Sequence, residues 1–430
     1  MSRDVIDNLW NKHREKFLKT YLWVALFLLG VFFTLYHSWS EIVITPIDQE
    51  KPECISSGIL WNNAGSDTSM RISTDWSWNI KTLGTFFNGP SEDIIVSNYY
   101  PNGTLKGFSI WGGSMKDRGY AMATDTEGNT YITGVTESFG LPEEELLLLK
   151  INCYGAVEWS KHFDLGGGNG QFGLGIDTYK NESIYVTGYF MDYVFMVGEC
   201  PRFFIFKFDP SGSVIWNHFG DGPLGDGIGE DLLLDDSGDI IVTGYTPIDN
   251  AFIAKYNENG TRLWKTTWGI SGRIEWGKSL VVNNATNLIT CAGIVENEGI
   301  FLVQFNESGA LLQSSIDSTH IIDDIEHANM KITKDDKENI LVPWIETAQG
   351  SYVAKLKKYD ISTLAPLWDI TVPEINSHHG FGVAYNPNQQ EILTLGMHYQ
   401  DSMLMVIRDM EPFTGDPFTI ENVVHVSIFT

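Results

Sequence analysis

The sequence predicts a seven-bladed β-propeller, an all-β fold of four-stranded antiparallel blades, preceded by one N-terminal transmembrane helix. A motif ending in glycine recurs about every fifty residues, which is the period typical of propeller blades. Each clear copy is followed by a second segment with the pattern of a hairpin. Aromatic residues make up 13% of the 430 residues and glycine occurs 42 times. This composition is typical of many short strands joined by tight turns.

The one long apolar run extends from Thr20 to Tyr36. At 1.5 Å per residue, about 18 residues cross a bilayer core of roughly 30 Å, so we predict a spanning helix at 20–37. Basic residues precede this segment and acidic residues follow it, which predicts a cytoplasmic N-terminus and an extracytoplasmic remainder. A cleaved signal peptide is the first alternative, but no A-x-A-like site follows the run. A buried core helix is the second, but no other segment has helical periodicity to pack against it.

These observations divide the chain into four parts. We predict a cytoplasmic basic segment at 1–19, a transmembrane signal anchor at 20–37, a linker at 38–68 and a propeller at 69–430. A closed repeat array can use most of a chain of this length in a single domain.

The repeat has two halves. The first half is clearest as GYAMATDTEGNTYITG (119–134), GLGIDTYKNESIYVTG (173–188) and GEDLLLDDSGDIIVTG (229–244). The second half appears as FFIFKFDPSGSVIWNHFG (203–220) and AFIAKYNENGTRLWKTTWG (251–269). In both halves a D-x-x-G or N-x-x-G turn separates two short apolar runs, which indicates a hairpin. Two hairpins make one four-stranded blade.

On this pattern we predict seven blades whose ring leaves only short, protected strand edges. The predicted blades are 69–113, 117–166, 170–222, 226–270, 273–317, 322–372 and 378–430.

The paired motifs resemble the seven-bladed beta-propeller (SBBP) repeat family of surface and secreted proteins of bacteria and archaea. The resemblance rests on segments such as GDIIVTGYT (238–246) followed by AFIAKYNENGTRLW (251–264), and it covers roughly 117–315. Outside that range Pro343 and Trp344 replace the T-G pair, and Gln313 stands where other blades have Trp. The resemblance implies a propeller exposed outside the cytoplasm. It implies no catalytic residue.

The chain is strongly acidic, with a formal net charge of -27 from 55 Asp plus Glu against 28 Lys plus Arg. Such a surface repels phosphate backbones, so we predict no nucleic-acid partner. Acidic residues occur mostly in turns, which favours a role in solubility and turn formation, with cation binding as the alternative. The segments DTEGN, DDSGD and DDKEN lack the terminal glutamate of a calcium loop and coincide with turns, so we interpret them as turns.

The segments that link consecutive blades are predicted to lie on one face of the disc, near its central opening. We call this the link-bearing face, and we predict that its charged side chains bind a ligand; ordinary solvated loops are the alternative. The candidate ligand-binding residues are Asp226, Glu230, Asp231, Arg273, Glu275, Asp323, Asp324, Glu326, His327, His378 and His379. The histidines have no fixed metal-ligand spacing, so we predict neither a metal site nor a cofactor.

The function predicted from these features is a membrane-anchored extracytoplasmic binding or protein-interaction scaffold, with a protein or carbohydrate ligand. The alternative is an extracellular hydrolase or lyase that uses carboxylates at the central opening. No nucleophile elbow and no phosphate loop occurs in the sequence, so no catalytic residue is assigned. Shielded carboxylates with raised pKa values would favour the enzyme, and an aromatic rim would favour the binder.

Several other residues have predicted positions. Five N-x-S/T sequons are candidate glycosylation sites, all in 1-2 or 3-4 turns on the face opposite the links; they are Asn102, Asn181, Asn259, Asn284 and Asn306. Cys153 is predicted in a turn and Cys200 in a 2-3 loop on opposite faces, too far apart to bridge, and Cys291 as a buried thiol. The recurring tryptophans are predicted to pack between blades; they are Trp159, Trp216, Trp264 and Trp368.

Overall fold

The structure of the protein is a computed structural model. It describes residues 56–61, 68–75, 77–139, 143–166, 170–194, 198–220, 227–248, 250–283, 285–318, 330–348, 351–372, 382–398, 401–408 and 423–427. The chain forms two compact units, Met1–Pro52 and Glu53–Thr430, and all described residues belong to the second. Among them, no helix has the length and apolar character needed to cross a membrane. The predicted transmembrane segment, 20–37, lies outside the described residues.

All regular structure in the described residues is β-strand. The strands are β1 (Ser56–Trp61), β2 (Thr68–Thr74), β3 (Ile80–Asn88), β4 (Ser91–Tyr99), β5 (Leu105–Trp111), β6 (Asp117–Thr124), β7 (Thr130–Thr136), β8 (Glu145–Ile151), β9 (Val157–Phe163), β10 (Gln171–Tyr179), β11 (Ser183–Val194), β12 (Gly198–Phe208), β13 (Val214–Phe219), β14 (Ile228–Leu234), β15 (Ile240–Tyr245), β16 (Ala251–Tyr256), β17 (Arg262–Trp268), β18 (Glu275–Asn283), β19 (Leu288–Val295), β20 (Gly299–Phe305), β21 (Leu311–Asp317), β22 (Thr333–Lys334), β23 (Ile340–Ala348), β24 (Ser351–Tyr359), β25 (Pro366–Val372), β26 (Gly382–Asn386), β27 (Glu391–His398), β28 (Asp401–Arg408) and β29 (Val423–Ser427).

Six sheets each contain four consecutive antiparallel strands, which confirms the all-β class and the four-stranded blade. Blade 1 is β2–β5, blade 2 is β6–β9, blade 3 is β10–β13, blade 4 is β14–β17, blade 5 is β18–β21 and blade 6 is β22–β25. The first strands of blades 1 to 5 contact one another in order, and β26 contacts both β2 and β22, so these inner strands surround the centre of the propeller.

The predicted count of seven four-stranded blades is corrected to six. The sheet built from the last predicted blade, 378–430, has five strands in the order β26-β27-β28-β1-β29. β1 lies upstream, within the predicted linker 38–68. It pairs antiparallel with β28 and parallel with β29. The fourth position is therefore filled by a strand from the other end of the propeller. We call this the closing sheet because β26 contacts both blade 1 and blade 6.

Apolar side chains between neighbouring blades form the core. Between blades 3 and 4, for example, Phe203 and Ile205 are buried in one cluster with Leu232 and Val242. Full burial of one such side chain contributes about 1.5–3 kcal/mol. Because every blade is covered on both faces, its middle strands are apolar runs, as in LLLL at 146–149.

The recurring tryptophans do pack between blades, as predicted. The indole N–H of Trp216 donates to Glu258 O at 3.1 Å, and that of Trp264 donates to Glu307 O at 2.9 Å. Each acceptor lies in the 3-4 turn of the next blade. In blade 5 the same position is occupied by Gln313, whose side-chain amide donates to Ser362 O of blade 6 at 2.9 Å. The side chain at this position therefore donates a hydrogen bond to the next blade, and glutamine can take the place of tryptophan because it also has an N–H group.

The acidic turn motifs match their prediction, and so do the thiols apart from the position of Cys200. Asp125 Oδ1 accepts hydrogen bonds from Glu127 N and Asn129 N at 3.0 and 2.8 Å, as expected of a turn aspartate. Cys153, Cys200 and Cys291 are free thiols, and Cys291 is buried. Cys200 lies in strand β12 rather than in the predicted loop, because β11 and β12 form a longer hairpin than expected.

Candidate functional site

Five inner strands contain a β-bulge at the same place. In β6 the bulge lies between Gly119 and Ala121, and in β14 between Gly229 and Asp231. The strands β2, β10 and β18 have a bulge at the equivalent position. A bulge inserts one residue into a strand and changes the direction of nearby side chains. The inserted residues Tyr120, Glu230 and Lys278 are consequently half-buried at the centre rather than in the core.

The repeated glycine pairs allow this bulge. Gly119 pairs with Gly134, and Gly229 pairs with Gly244. A Cβ on Gly134 would lie 1.9 Å from Arg118 O, and one on Gly244 would lie 1.8 Å from Ile228 O. The last residue of each T-G motif must therefore be glycine, because any Cβ there would collide with the carbonyl oxygen of the residue that precedes the bulge. The motif that identifies the fold also shapes the centre of the propeller.

Three aromatic side chains lie together beside the central opening, and we call them the aromatic group: Tyr120, Phe172 and Tyr189. Phe172 stacks on Tyr189 with ring centroids 4.9 Å apart, and it lies 6.3 Å from Tyr120. All three side chains are half-buried. Burial, followed by the charge of Glu230, raises the pKa of Tyr189, so its hydroxyl stays neutral at physiological pH.

Carboxylates surround the aromatic group on its blade 2 side. Burial, followed by the neighbouring Glu137, raises the pKa of Glu144, while Arg118 opposes this shift. Arg118 itself pairs with Glu92 through two hydrogen bonds, the longer of which is 3.0 Å. A Cβ on Gly170 would lie 3.4 Å from Glu144 Oε2 and 2.5 Å from Phe172. Glu144 therefore borders the aromatic group, and its negative charge is only partly balanced.

A second mixed cluster lies between blades 4 and 5. Lys278 Nζ is 2.7 Å from Glu230 Oε1 and lies over the ring of Tyr245, 5.8 Å from its centroid. Tyr245 contacts Trp276 edge to face at 6.1 Å. Both strands meet here through their bulge residues, so the ion pair joins two inner strands at the opening.

A buried layer of charge supports these clusters. Asp231 is 4% exposed, and its Oδ2 accepts hydrogen bonds from Ser279 Oγ at 2.9 Å and Leu280 N at 3.1 Å. Its Oδ1 accepts from Lys331 Nζ. Asp177 Oδ2 accepts from Leu234 N at 3.0 Å. Burial raises the pKa of Asp177 to about 6, although its backbone hydrogen bonds and Lys331 oppose this.

We expect Asp177 to make stability depend on pH. Its folded pKa of about 6 exceeds the value near 3.9 of an unfolded aspartate, so the folded state binds more protons between these values. The contribution of Asp177 to the free energy of unfolding should therefore be greatest below about pH 4 and should fall until about pH 6. Asp177→Asn should remove about 1–2 kcal/mol of that fall, after discounting for partial exposure. Urea denaturation from pH 4 to 7 measures it, and an unchanged slope would contradict the assignment.

The structure places four of the predicted ligand-binding residues. Glu230 lies at the central opening. Arg273 is exposed on a link, 3.5 Å from Glu298. Asp231 and Glu275 are buried, and Glu275 Oε1 accepts a hydrogen bond from Ile270 N at 2.9 Å, which holds the link. The remaining candidates lie outside the described residues; they are Asp226, Asp323, Asp324, Glu326, His327, His378 and His379.

The sequons lie in turns. Asn102 is in the β4–β5 turn, Asn181 in the β10–β11 turn, and Asn259 and Asn306 are in the turns after β16 and β20. All four turns belong to the 1-2 or 3-4 class. Asn284 lies outside the described residues.

The aromatic group was not predicted from the sequence. Tyr120 and Phe172 stand in inner-strand segments where strict alternation does not reveal which side chains face the opening. The glycine that begins each repeat could have indicated the bulge. The residue directly after it is the inserted one, namely Tyr120, Glu230 or Lys278.

Within the described residues, no group of three or more His, Cys, Asp or Glu side chains could hold a metal ion. A search of known protein families finds no match to this chain, and a search of curated proteins finds none either. The resemblance to the SBBP repeat therefore rests on the repeat motifs alone.

Proposed function

We propose that the protein is a binding module that accepts a cationic group of a partner protein, such as a lysine or arginine side chain, at the aromatic group. The observation that carries this proposal is the position of Tyr120, Phe172 and Tyr189 beside the carboxylate of Glu144 at the central opening. Aromatic faces bind cations, and nearby carboxylates add charge-assisted hydrogen bonds.

Carboxylates near the rings could pair with a cation. Four glutamates lie in or next to the two clusters, namely Glu92, Glu137, Glu144 and Glu230. Basic residues partly neutralise them, since Arg118 bonds Glu92, Lys278 bonds Glu230, Arg71 acts on Glu230 and Lys116 acts on Glu144. Glu137 lies close enough to Glu144 to raise the pKa of Glu144, after the larger effect of burial. The net charge of -27 would steer a basic partner toward the molecule.

Ring geometry supports the same ligand class. A cation within about 6 Å of a ring centroid gains about 0.5–2 kcal/mol, depending on its exposure to water. Lys278 already uses this interaction with Tyr245 at 5.8 Å. The aromatic group offers three rings that are half-buried, so an incoming ammonium or guanidinium group could contact them without unfolding any strand.

A fluorescein-labelled (Lys-Gly)4 peptide tests the proposal by fluorescence anisotropy at low ionic strength. We expect binding that weakens with added salt, and losses of affinity of about fivefold or more for Tyr189→Leu and for Glu144→Gln. The matched control is Glu258→Gln, which removes the same charge from an exposed turn in the 3-4 class. Asn259→Gln tests the neighbouring sequon in the same turn. Both controls should bind as the unaltered protein does.

Two outcomes would overturn the proposal. One is an equal loss of affinity with Glu258→Gln, which would indicate attraction by the overall charge. The other is unchanged affinity for the same peptide with acetylated lysines, because acetylation removes the cationic charge.

A hydrolase acting on carbohydrate or peptide is the second candidate, and the carboxyl pair Glu137 and Glu144 favours it. A glutamate with a raised pKa beside a second carboxylate is the arrangement expected of a general acid. Release of nitrophenol from a panel of nitrophenyl glycosides, abolished by Glu144→Gln, would support this candidate over simple binding.

The proposed location is outside the cytoplasm, with residues 20–37 as a membrane tether and the N-terminus in the cytoplasm. The apolar run and the basic residues before it support this part of the proposal. Kinship with the SBBP repeat proteins and glycosylation of the sequons belong to the same proposal. The repeat motifs and the turn positions of the sequons support them.

A further inference from the structure

Two buried carboxylates meet at the junction between blades 1 and 2. Asp93 in β4 is 8% exposed, and Asp117, the first residue of β6, is 0% exposed. A Cβ on Gly112 would lie 2.2 Å from Asp93 Oδ1 and 3.0 Å from Asp117 Oδ2. Gly112 itself is exposed, whereas Asp93 Oδ1 beneath it is buried. We call Asp93 and Asp117 the acid pair.

The two acids differ in their hydrogen bonds. Asp117 Oδ2 accepts from Gly113 N and from Ser138 Oγ, both at 2.7 Å, and its Oδ1 accepts from Thr136 Oγ1. Among the described residues, none donates a hydrogen bond to Asp93 Oδ1. No lysine or arginine of the described part of the chain forms an ion pair with either acid. A buried carboxylate oxygen without a partner is costly, so a ligand that satisfies it is expected.

The protein's own repeats show how this junction is built elsewhere. Between blades 4 and 5, a Cβ on Gly269 would lie 2.1 Å from Asn250 Oδ1 and 2.7 Å from Glu275 Oε2. At that junction Ile270 N donates a hydrogen bond to Glu275. The equivalent hydrogen bond between blades 1 and 2 runs from Gly113 N to Asp117. The junction between blades 4 and 5 therefore places a neutral amide beside one carboxylate. The acid pair places two carboxylates in the same positions.

We propose that the acid pair binds a hard divalent cation, Ca²⁺ in the first instance, between blades 1 and 2. Asp93 Oδ1 would be the primary ligand and Asp117 Oδ2 the second. Water bound together with the ion would complete the coordination. Carboxylate, hydroxyl and water oxygens are the ligands that Ca²⁺ prefers, and cysteine or histidine is not required. This site is separate from the aromatic group and does not depend on the proposed function.

The electrostatics of the empty junction agree with a cation. Burial, followed by the charge of Asp117, raises the pKa of Asp93. Asp93 therefore holds a proton more readily than a free aspartate does, and a bound cation would displace that proton. Cation affinity should weaken as the pH falls, because protons compete for the same oxygen.

Thermal unfolding of the full chain with EDTA or with about 10 mM Ca²⁺ tests the proposal, since extracellular sites commonly bind in the range of about 0.1–1 mM. Ca²⁺ should raise the unfolding midpoint of the unaltered protein by about 2–4 °C. Asp93→Asn reproduces the amide found at Asn250. It should abolish the shift and should be at least as stable as the unaltered protein in EDTA.

A second variant gives the reverse test. Asn250→Asp creates a second acid pair beside Glu275, so it should add a second cation site and a larger midpoint shift. Terbium luminescence provides an independent count of sites, with Trp111 directly before Gly112 as the sensitiser.

Three results would overturn the cation site. The first is an equal Ca²⁺ shift in Asp93→Asn, which would locate the ion elsewhere. The second is a midpoint that ignores Ca²⁺ but rises on acidification from about pH 7 to 5 by more in the unaltered protein than in Asp93→Asn, which would assign a shared proton to the acid pair. The third is an Asn250→Asp variant that folds but gains neither terbium emission nor a larger Ca²⁺ shift.

Discussion

A chain that begins at residue 41 is expected to fold as a soluble propeller, whereas a chain that begins at residue 67 is expected to be severely destabilised. Both lack the predicted transmembrane segment, but only the second also lacks β1. β1 occupies the position between β28 and β29 in the closing sheet. Without it, β28 would expose an unpaired edge, and such edges promote aggregation.

The expected effect is large because β1 is paired on both sides. Its register with β28 extends from Gly58 opposite Met405 to Trp61 opposite Ser402, and β29 pairs along its other edge. Each backbone hydrogen bond contributes about 0.5–1.5 kcal/mol, so losing both ladders removes a substantial part of a total stability of about 5–15 kcal/mol.

Size-exclusion chromatography and thermal unfolding of the two shortened chains measure this difference. A synthetic peptide of residues 53–66, added in excess, should restore part of the stability of the shorter chain by filling the vacant strand position. Two chains with equal unfolding midpoints would contradict the role of β1. A chain from residue 41 that needs detergent to stay dispersed would contradict the proposed tether.

The same strand explains why the blade count could not be read from the sequence. A repeat is recognised from segments that are neighbours in the chain, and this succeeded for blades 1 to 6. The last sheet joins β28 to β1, which come from opposite ends of the propeller. β1, SSGILW, is short and lies apart from any repeat, so its pairing depends on ring closure and not on a local signal.

Only part of the candidate site could be predicted from the sequence. Glu230 was among the predicted ligand-binding residues, and the structure places it at the bulge of the inner strand β14. Charge alone did not distinguish it from Asp231 and Glu275, which are buried and hold neighbouring backbone in place. Asp231 is adjacent to Glu230, but the bulge places these two side chains in different environments. A one-residue shift of this kind reverses the alternation on which such predictions depend.

Gly244→Ala is expected to lower the free energy of unfolding by about 3 kcal/mol or more. Its Cβ would lie 1.8 Å from Ile228 O and 3.0 Å from Phe252. The first contact is with backbone, so no side-chain rotation relieves it. Either the β14–β15 pairing must open or the bulge at Glu230 must shift.

The matched control is Gly107→Ala in β5, where an added Cβ meets no atom within 4 Å and the backbone is not in the left-handed region. That variant should be neutral or more stable by up to about 1 kcal/mol, because alanine loses less conformational entropy on folding. Urea denaturation compares the two. Under conditions where Gly244→Ala remains folded, its affinity for the (Lys-Gly)4 peptide should also fall, since Glu230 beside the aromatic group is displaced with the bulge. Equal stability of the two variants would contradict the prediction, because it would show that the glycine pairs do not maintain the bulge or the opening.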